Sequence, residues 1–183
     1  MDFKFNVTIS EEEYLEFNKF VMFKSKAGKK QMLKYRLLLA ALFCIVAILT
    51  AVREGFSITF LYSIPFLIIA LTASLLLLKP LTTWILKTQI KAMKKNGKLA
   101  YSPKAELIFF EDCFVETTES NKTEQKYSSI ERISIIEGRV IYIHVNNVIA
   151  FLLPVAAFDS WELYDAFLEF IKTKCENIDT YSR

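Results

Sequence analysis

The sequence predicts an α+β chain in which a two-helix transmembrane hairpin is joined to a small antiparallel β domain with a C-terminal amphipathic helix. Three observations predict it. Two long uncharged apolar runs, Leu37–Val52 and Ser57–Leu78, lie close together as the bodies of spans over residues 35–52 and 57–78. From Tyr101 onward the apolar residues recur with a period of two, the spacing of strands. Charge is also segregated: Phe17 to Ala105 holds fifteen Lys and Arg and a single acid, Glu54, whereas Glu106 onward holds fourteen acids against seven bases. The formal net charge of +3 conceals this division. A basic first part beside an acidic second part points to an anionic surface near the former.

The opening residues 1–34 are expected to be a cytoplasmic strand and helix. Phe3, Phe5, Val7 and Ile9 alternate with Lys4, Asn6 and Thr8, the pattern of a half-buried strand. Ser10 is placed to cap a helix and Glu13 to complete a capping box, with Ile9 and Tyr14 spaced for a hydrophobic staple. Leu15, Phe17, Phe20 and Val21 then fill the apolar side of that helix. A lone strand is not stable in water, so this one is expected to pair with the β-rich region beyond the hairpin.

A membrane core requires about 20 apolar helical residues, with roughly 17–25 tolerated. Residues 57–78 satisfy this directly. Residues 35–52 are shorter, but Lys34 and Arg36 can extend to the interface and Tyr35 can sit at headgroup level. The link Arg53–Phe56 is so short that the two helices must be antiparallel neighbours. Lysines crowd the outer flanks of both spans, and the positive-inside rule then places both termini in the cytoplasm. Lys29, Lys30, Lys34 and Arg36 before the hairpin, and Lys87, Lys91, Lys94 and Lys95 after it, form the expected basic anchor to anionic lipid headgroups.

Within the first span Ala40, Cys44, Ala47 and Ala51 make a small-residue stripe that another helix could approach closely. Pro65 should kink the second span, with Ser63 available to compensate for the lost backbone bond. Neither Leu37–Val52 nor Ser57–Leu78 carries an acidic or basic side chain, which argues against a proton or ion pathway. Residues 79–98 read as a basic juxtamembrane helix leaving the bilayer, with Pro80 near its start and Asn96-Gly97 as its stop.

Residues 99–183 make the expected cytoplasmic domain. Strands are predicted in "AELIFFED", "CFVETTES" and "SSIERISIIE", and two more in "GRVIYIHVNNVIAFLLP", turning at Asn146-Asn147. Asp159 or Ser160 caps a last helix whose apolar face holds Trp161, Tyr164, Leu168, Ile171 and Cys175, broadened by Phe167.

The stretches "FKFNVTISEEEYLEFNKF", "PKAELIFFEDCFVETTESNKTEQKYSSIERI" and "FLLPVAAFDSWELYDAFLEFI" together resemble the YcxB-like family of bacterial membrane proteins. The resemblance covers nearly the whole chain. It implies two spans, a bacterial cell-membrane location, a cytoplasmic domain similar to a pleckstrin-homology fold, and no established activity. Two positions depart from the family pattern: Tyr127 stands where Trp is common, and Val155 and Ala156 follow Pro154 where a basic residue is common. The second departure, with the acidic balance of this region, weighs against a phosphoinositide pocket.

Chemistry-bearing motifs are absent. His144 is the only histidine, and strand alternation puts it on the more polar side, as a surface or edge residue. Glu11, Glu12 and Glu13 point in different directions on a helix and favour its N-terminal dipole, so no metal centre is expected. Cys44, Cys113 and Cys175 fit no metal or redox spacing and read as small buried hydrophobes. Asn6 and Asn121 match the glycosylation pattern, which has no meaning on a cytoplasmic face. No catalytic residue, cofactor or nucleic-acid partner is expected.

The expected function is that of a non-enzymatic integral membrane protein displaying a cytoplasmic interaction domain to a protein partner. The alternatives are an accessory or homo-oligomeric component acting through its hairpin, and a sensor of anionic lipid.

Overall fold

A computed structural model describes residues 2–55, 57–97, 99–146 and 149–182. The chain divides into two units, Met1–Tyr14 with Leu99–Arg183, and Leu15–Lys98. The hairpin is therefore an insertion within a discontinuous β domain. Charge follows the same division: the first unit has nine bases against eighteen acids, the second fourteen against two.

The β unit is built on two four-stranded sheets. The first is an antiparallel meander of β1 (Phe3–Thr8), β2 (Lys104–Phe109), β3 (Cys113–Thr118) and β4 (Lys122–Lys126). As its alternation predicts, β1 buries Phe3, Phe5 and Val7 and exposes Lys4, Asn6 and Thr8. It pairs with β2 in the register Phe5↔Leu107, and on the outer face Lys4 forms an ion pair with Glu106 at 2.7 Å. The strand from the start of the chain thus finds its partner beyond the hairpin. Ser10 and Glu13 make the capping box: Glu13 Oε2 accepts from the Ser10 N–H at 2.7 Å, and Ser10 Oγ accepts from the Glu13 N–H at 3.2 Å.

The second sheet has the order β7-β6-β5-β8, from β5 (Arg132–Ile136), β6 (Val140–His144), β7 (Ala150–Pro154) and β8 (Ile178–Tyr181). Here the domain departs from the purely antiparallel expectation, because β8 runs parallel to β5. A parallel neighbour needs a long return path, and β6, β7 and the last helix supply it. The turn expected at Asn146-Asn147 lies partly outside the described residues, since Asn147 is among those not described. Its described side is closed by Asn146, whose Oδ1 accepts from the Ile149 N–H at 2.7 Å.

Helix α4 (Trp161–Lys174) starts at Ser160, not Asp159; Ser160 Oγ accepts from the Leu163 N–H at 3.2 Å. Its buried residues are Tyr164, Phe167 and Ile171, with Cys175 following. Trp161, expected on the apolar face, is 61% exposed. Helical side chains lean toward the N-terminus, so a residue in the first turn projects past the helix end. Phe167 is the centre instead, with ring centroids 5.5, 5.2 and 4.8 Å from Phe3, Phe5 and Phe109.

The second unit opens in helix α1 (Glu11–Lys19), which begins in the first. The single helix expected through Val21 does not continue: Phe20–Lys24 widens into a π turn. The buried Ser25 then caps a new helix, donating from Oγ to the Val21 carbonyl at 2.6 Å and accepting from the Gly28 N–H at 3.0 Å. Gly28 passes so close to this turn that an added Cβ would meet the Val21 and Met22 carbonyl oxygens at 2.0 and 2.5 Å. Only glycine fits there.

Helix α2 (Lys26–Glu54) and helix α3 (Ile58–Lys95) follow, and they pack on one another. The stretch expected as a juxtamembrane helix over residues 79–98 is helical through Lys95 but continues the second span and does not start anew at Pro80; Lys98 lies outside the described residues. Helix α3 is continuous through both Pro65 and Pro80. Hydroxyls around the prolines bond to neighbouring carbonyls, Ser63 to Phe60 at 2.7 Å, Thr82 to Leu78 at 2.7 Å and Thr83 to Lys79 at 2.9 Å. Asn96 and Gly97 end the helix as expected, Gly97 at φ +65°.

Candidate functional site

Both α2 and α3 are long and apolar enough to cross a membrane, and no residue of their most apolar stretches is buried. Leu38, Leu42, Ile48, Leu49, Phe66 and Ile69 are among those that stand exposed. A core helix of a water-soluble domain covers such residues.

In the apolar stretch of α2 the partly covered residues are Leu39, Ala40, Phe43, Ala47, Thr50 and Ala51, and they recur at helical spacing. The stripe read from the sequence is therefore split. Ala40, Ala47 and Ala51 lie on the covered side, while Cys44 is exposed, contrary to the buried-cysteine expectation. Small residues at 40, 47 and 51 let helices approach closely.

Lys29, Lys30, Lys34 and Arg36 are exposed on α2, as are Lys87, Lys91, Lys94 and Lys95 on α3. At 1.5 Å per residue, Arg36 lies about 27 Å along α2 from its link-side end, and Lys79 about 32 Å along α3. Apart from Arg53 and Glu54 at the link end of α2, the next charge along each helix thus stands about one hydrocarbon thickness from the link. Lys79 Nζ lies 5.7 Å from the centroid of the Phe23 ring, a cation–π arrangement that fixes the ammonium without neutralising it.

The β unit has polar groups of its own. His144 is fully buried, which overturns its surface placement. Both faces of β5 and β6 are covered, so the alternation that marks an outward face in β1 has no such meaning here. Burial, and then the charge of Arg132, which pairs with it in register, lower its pKa to about 4. Tyr127 donates its hydroxyl to the Phe110 carbonyl at 2.8 Å, and burial raises its pKa. Glu111 accepts from Lys174 at the domain surface, and that hydrogen bond lowers its pKa. Among the described residues no three His, Cys, Asp or Glu side chains converge on a point where a metal could sit.

The histidine sets a pH dependence with a definite sign. The folded chain keeps His144 neutral down to about pH 4, whereas an unfolded histidine takes up its proton near pH 6.5. Below about pH 6.5 the unfolded state binds the extra proton, so stability is full above that pH and falls as pH drops toward 4. The loss attributable to His144 is roughly 3 kcal/mol. Denaturant unfolding followed from pH 7.5 to 4.5 should show this decline, and His144→Gln should flatten it by about one proton; an unchanged slope would refute the assignment.

No family model, curated protein or solved structure matches this chain.

Proposed function

We propose that this chain is a two-span protein of the bacterial cell membrane that holds a non-enzymatic interaction domain at the cytoplasmic face. The observation that carries the reading is the hairpin itself: two uncovered apolar helices, each with an uncharged stretch on the order of 25–30 Å long, with the lysines gathered at the end away from the link. Exposed in water, that apolar surface would drive aggregation; in a bilayer it is solvated.

The domain is a YcxB-like, pleckstrin-like module. Four strands in one sheet, β5–β7 in the other and a terminal helix support that reading, with β8 as an addition. The acidic excess of the unit turns it away from anionic lipid and toward a protein partner with a basic or apolar surface. Lipid contact then falls to the basic second unit. The alternative of an interface between copies through the small-residue stripe has less support, because three of its four members are already partly covered.

Impermeant thiol labelling of intact cells tests orientation. In a chain whose native cysteines are replaced by alanine, Glu54→Cys should label from outside, and Lys122→Cys only after permeabilisation. Labelling of Lys122→Cys in intact cells would sink the proposed topology.

A further inference from the structure

We propose that the cleft on α3 lined by Lys79, Pro80, Thr83, Trp84 and Lys87 binds the headgroup of one anionic phospholipid. This rests on the membrane reading above and gives it a specific site. The cleft is shallow and open, with a volume of about 400 Å³.

Its donors suit a phosphodiester. Residues 79, 83 and 87 are four apart and share a helix face, and 80 and 84 flank it. Lys79 and Lys87 each present an ammonium, and the indole of Trp84, 64% exposed, adds an N–H that can only donate. Thr83 offers only an acceptor, because its hydroxyl hydrogen goes to the Lys79 carbonyl. The Pro80 ring and the indole face give the cleft apolar walls against the glycerol and upper acyl chain. Helix α3 carries no acid from Ile58 to Lys95, so no carboxylate on it competes for the ammonium groups. Lys79 is also preset by the Phe23 ring.

Position selects Lys79 and Lys87 over Lys94 and Lys95 of the basic anchor. Taking Lys79 as the edge of the hydrocarbon, Trp84 lies about 8 Å and Lys87 about 12 Å further along the axis. The headgroup layer is roughly 5–7 Å thick on each side. Lys79, Trp84 and Lys87 therefore bracket the phosphates. Lys94 and Lys95 stand about 22–24 Å from the same edge, beyond a Debye length of about 10 Å at ordinary salt.

The full chain has two tryptophans, so Trp161→Phe leaves Trp84 as the sole reporter. That protein is reconstituted in bilayers of zwitterionic and anionic phospholipid in equal amounts, with bromine placed on the acyl chains of one lipid or the other. Brominated anionic lipid should quench Trp84 roughly twofold more than brominated zwitterionic lipid, and high salt should reduce the difference. Lys79→Gln with Lys87→Gln should abolish the excess while quenching by zwitterionic lipid persists, which shows that the variant still inserts. Lys94→Gln with Lys95→Gln, an equal loss of charge, should leave the excess intact. Equal quenching by both lipids, or equal loss in both variants, overturns the site and leaves the membrane reading standing. No quenching by either lipid overturns both.

Discussion

A chain beginning at residue 99 is expected to stay unfolded, whereas residues 1–14 joined by a short linker to 99–183 are expected to fold as a water-soluble domain. The difference is β1. It places Phe3, Phe5 and Val7 in the core with no more than 4% of each exposed, and its removal bares the edge of β2. Emptying a buried Phe position costs about 3–5 kcal/mol. Losing two of them with the rest of the strand removes as much as a small domain's whole stability of roughly 5–15 kcal/mol. The junction is short because the ends to be joined are adjacent. The Ile9 N–H donates to the Pro103 carbonyl at 2.9 Å, and the Tyr14 and Tyr101 rings stack with centroids 4.4 Å apart. Thermal unfolding and amide chemical-shift dispersion of the two proteins decide the matter. A cooperative transition in 99–183 alone would show that β1 is dispensable. If the joined protein folds, it also becomes the reagent with which to seek partners of the acidic unit.

What the sequence made legible was whatever writes a period or a cap. β1 alternates, Ser10 and Glu13 stand three apart, the two spans are long and uncharged, and Asn96-Gly97 ends a helix. What stayed hidden lacked such a mark. β4 reads "KTEQK", with no apolar residue to set a face; its lysines suit a sheet edge that must resist pairing with other chains. β8 has four residues and owes its place to β5, a partner more than forty residues away. The π turn at Phe20–Lys24 is forced by the cap at Ser25 and the close passage of Gly28, and neither alters hydrophobic spacing. His144 shows the limit from the other side. A period of two tells which residues share a face and not whether that face is covered, and His144 is buried.

The same limit applies to α4, where Phe167→Ala should destabilise the β domain by about 4 kcal/mol and Trp161→Ala by less than about 1 kcal/mol. Both residues are large aromatics at helical spacing, and spacing alone does not rank them. Packing does. Phe167 is fully buried, in edge-on or tilted contact with rings from β1 and β2 and with Phe158 at 5.7 Å, so a methyl group there leaves a cavity bounded by three structural elements. Trp161 meets Tyr164 edge-on at 5.5 Å and otherwise faces outward. Denaturant unfolding of the joined 1–14/99–183 domain would measure both costs. If Trp161→Ala proved as costly as Phe167→Ala, the centre of the core would lie at the start of α4 and not where β1, β2 and the helix meet. With the expected order, one phenylalanine ties the opening strand to the end of the chain, and the hairpin can interrupt the domain without dividing its core.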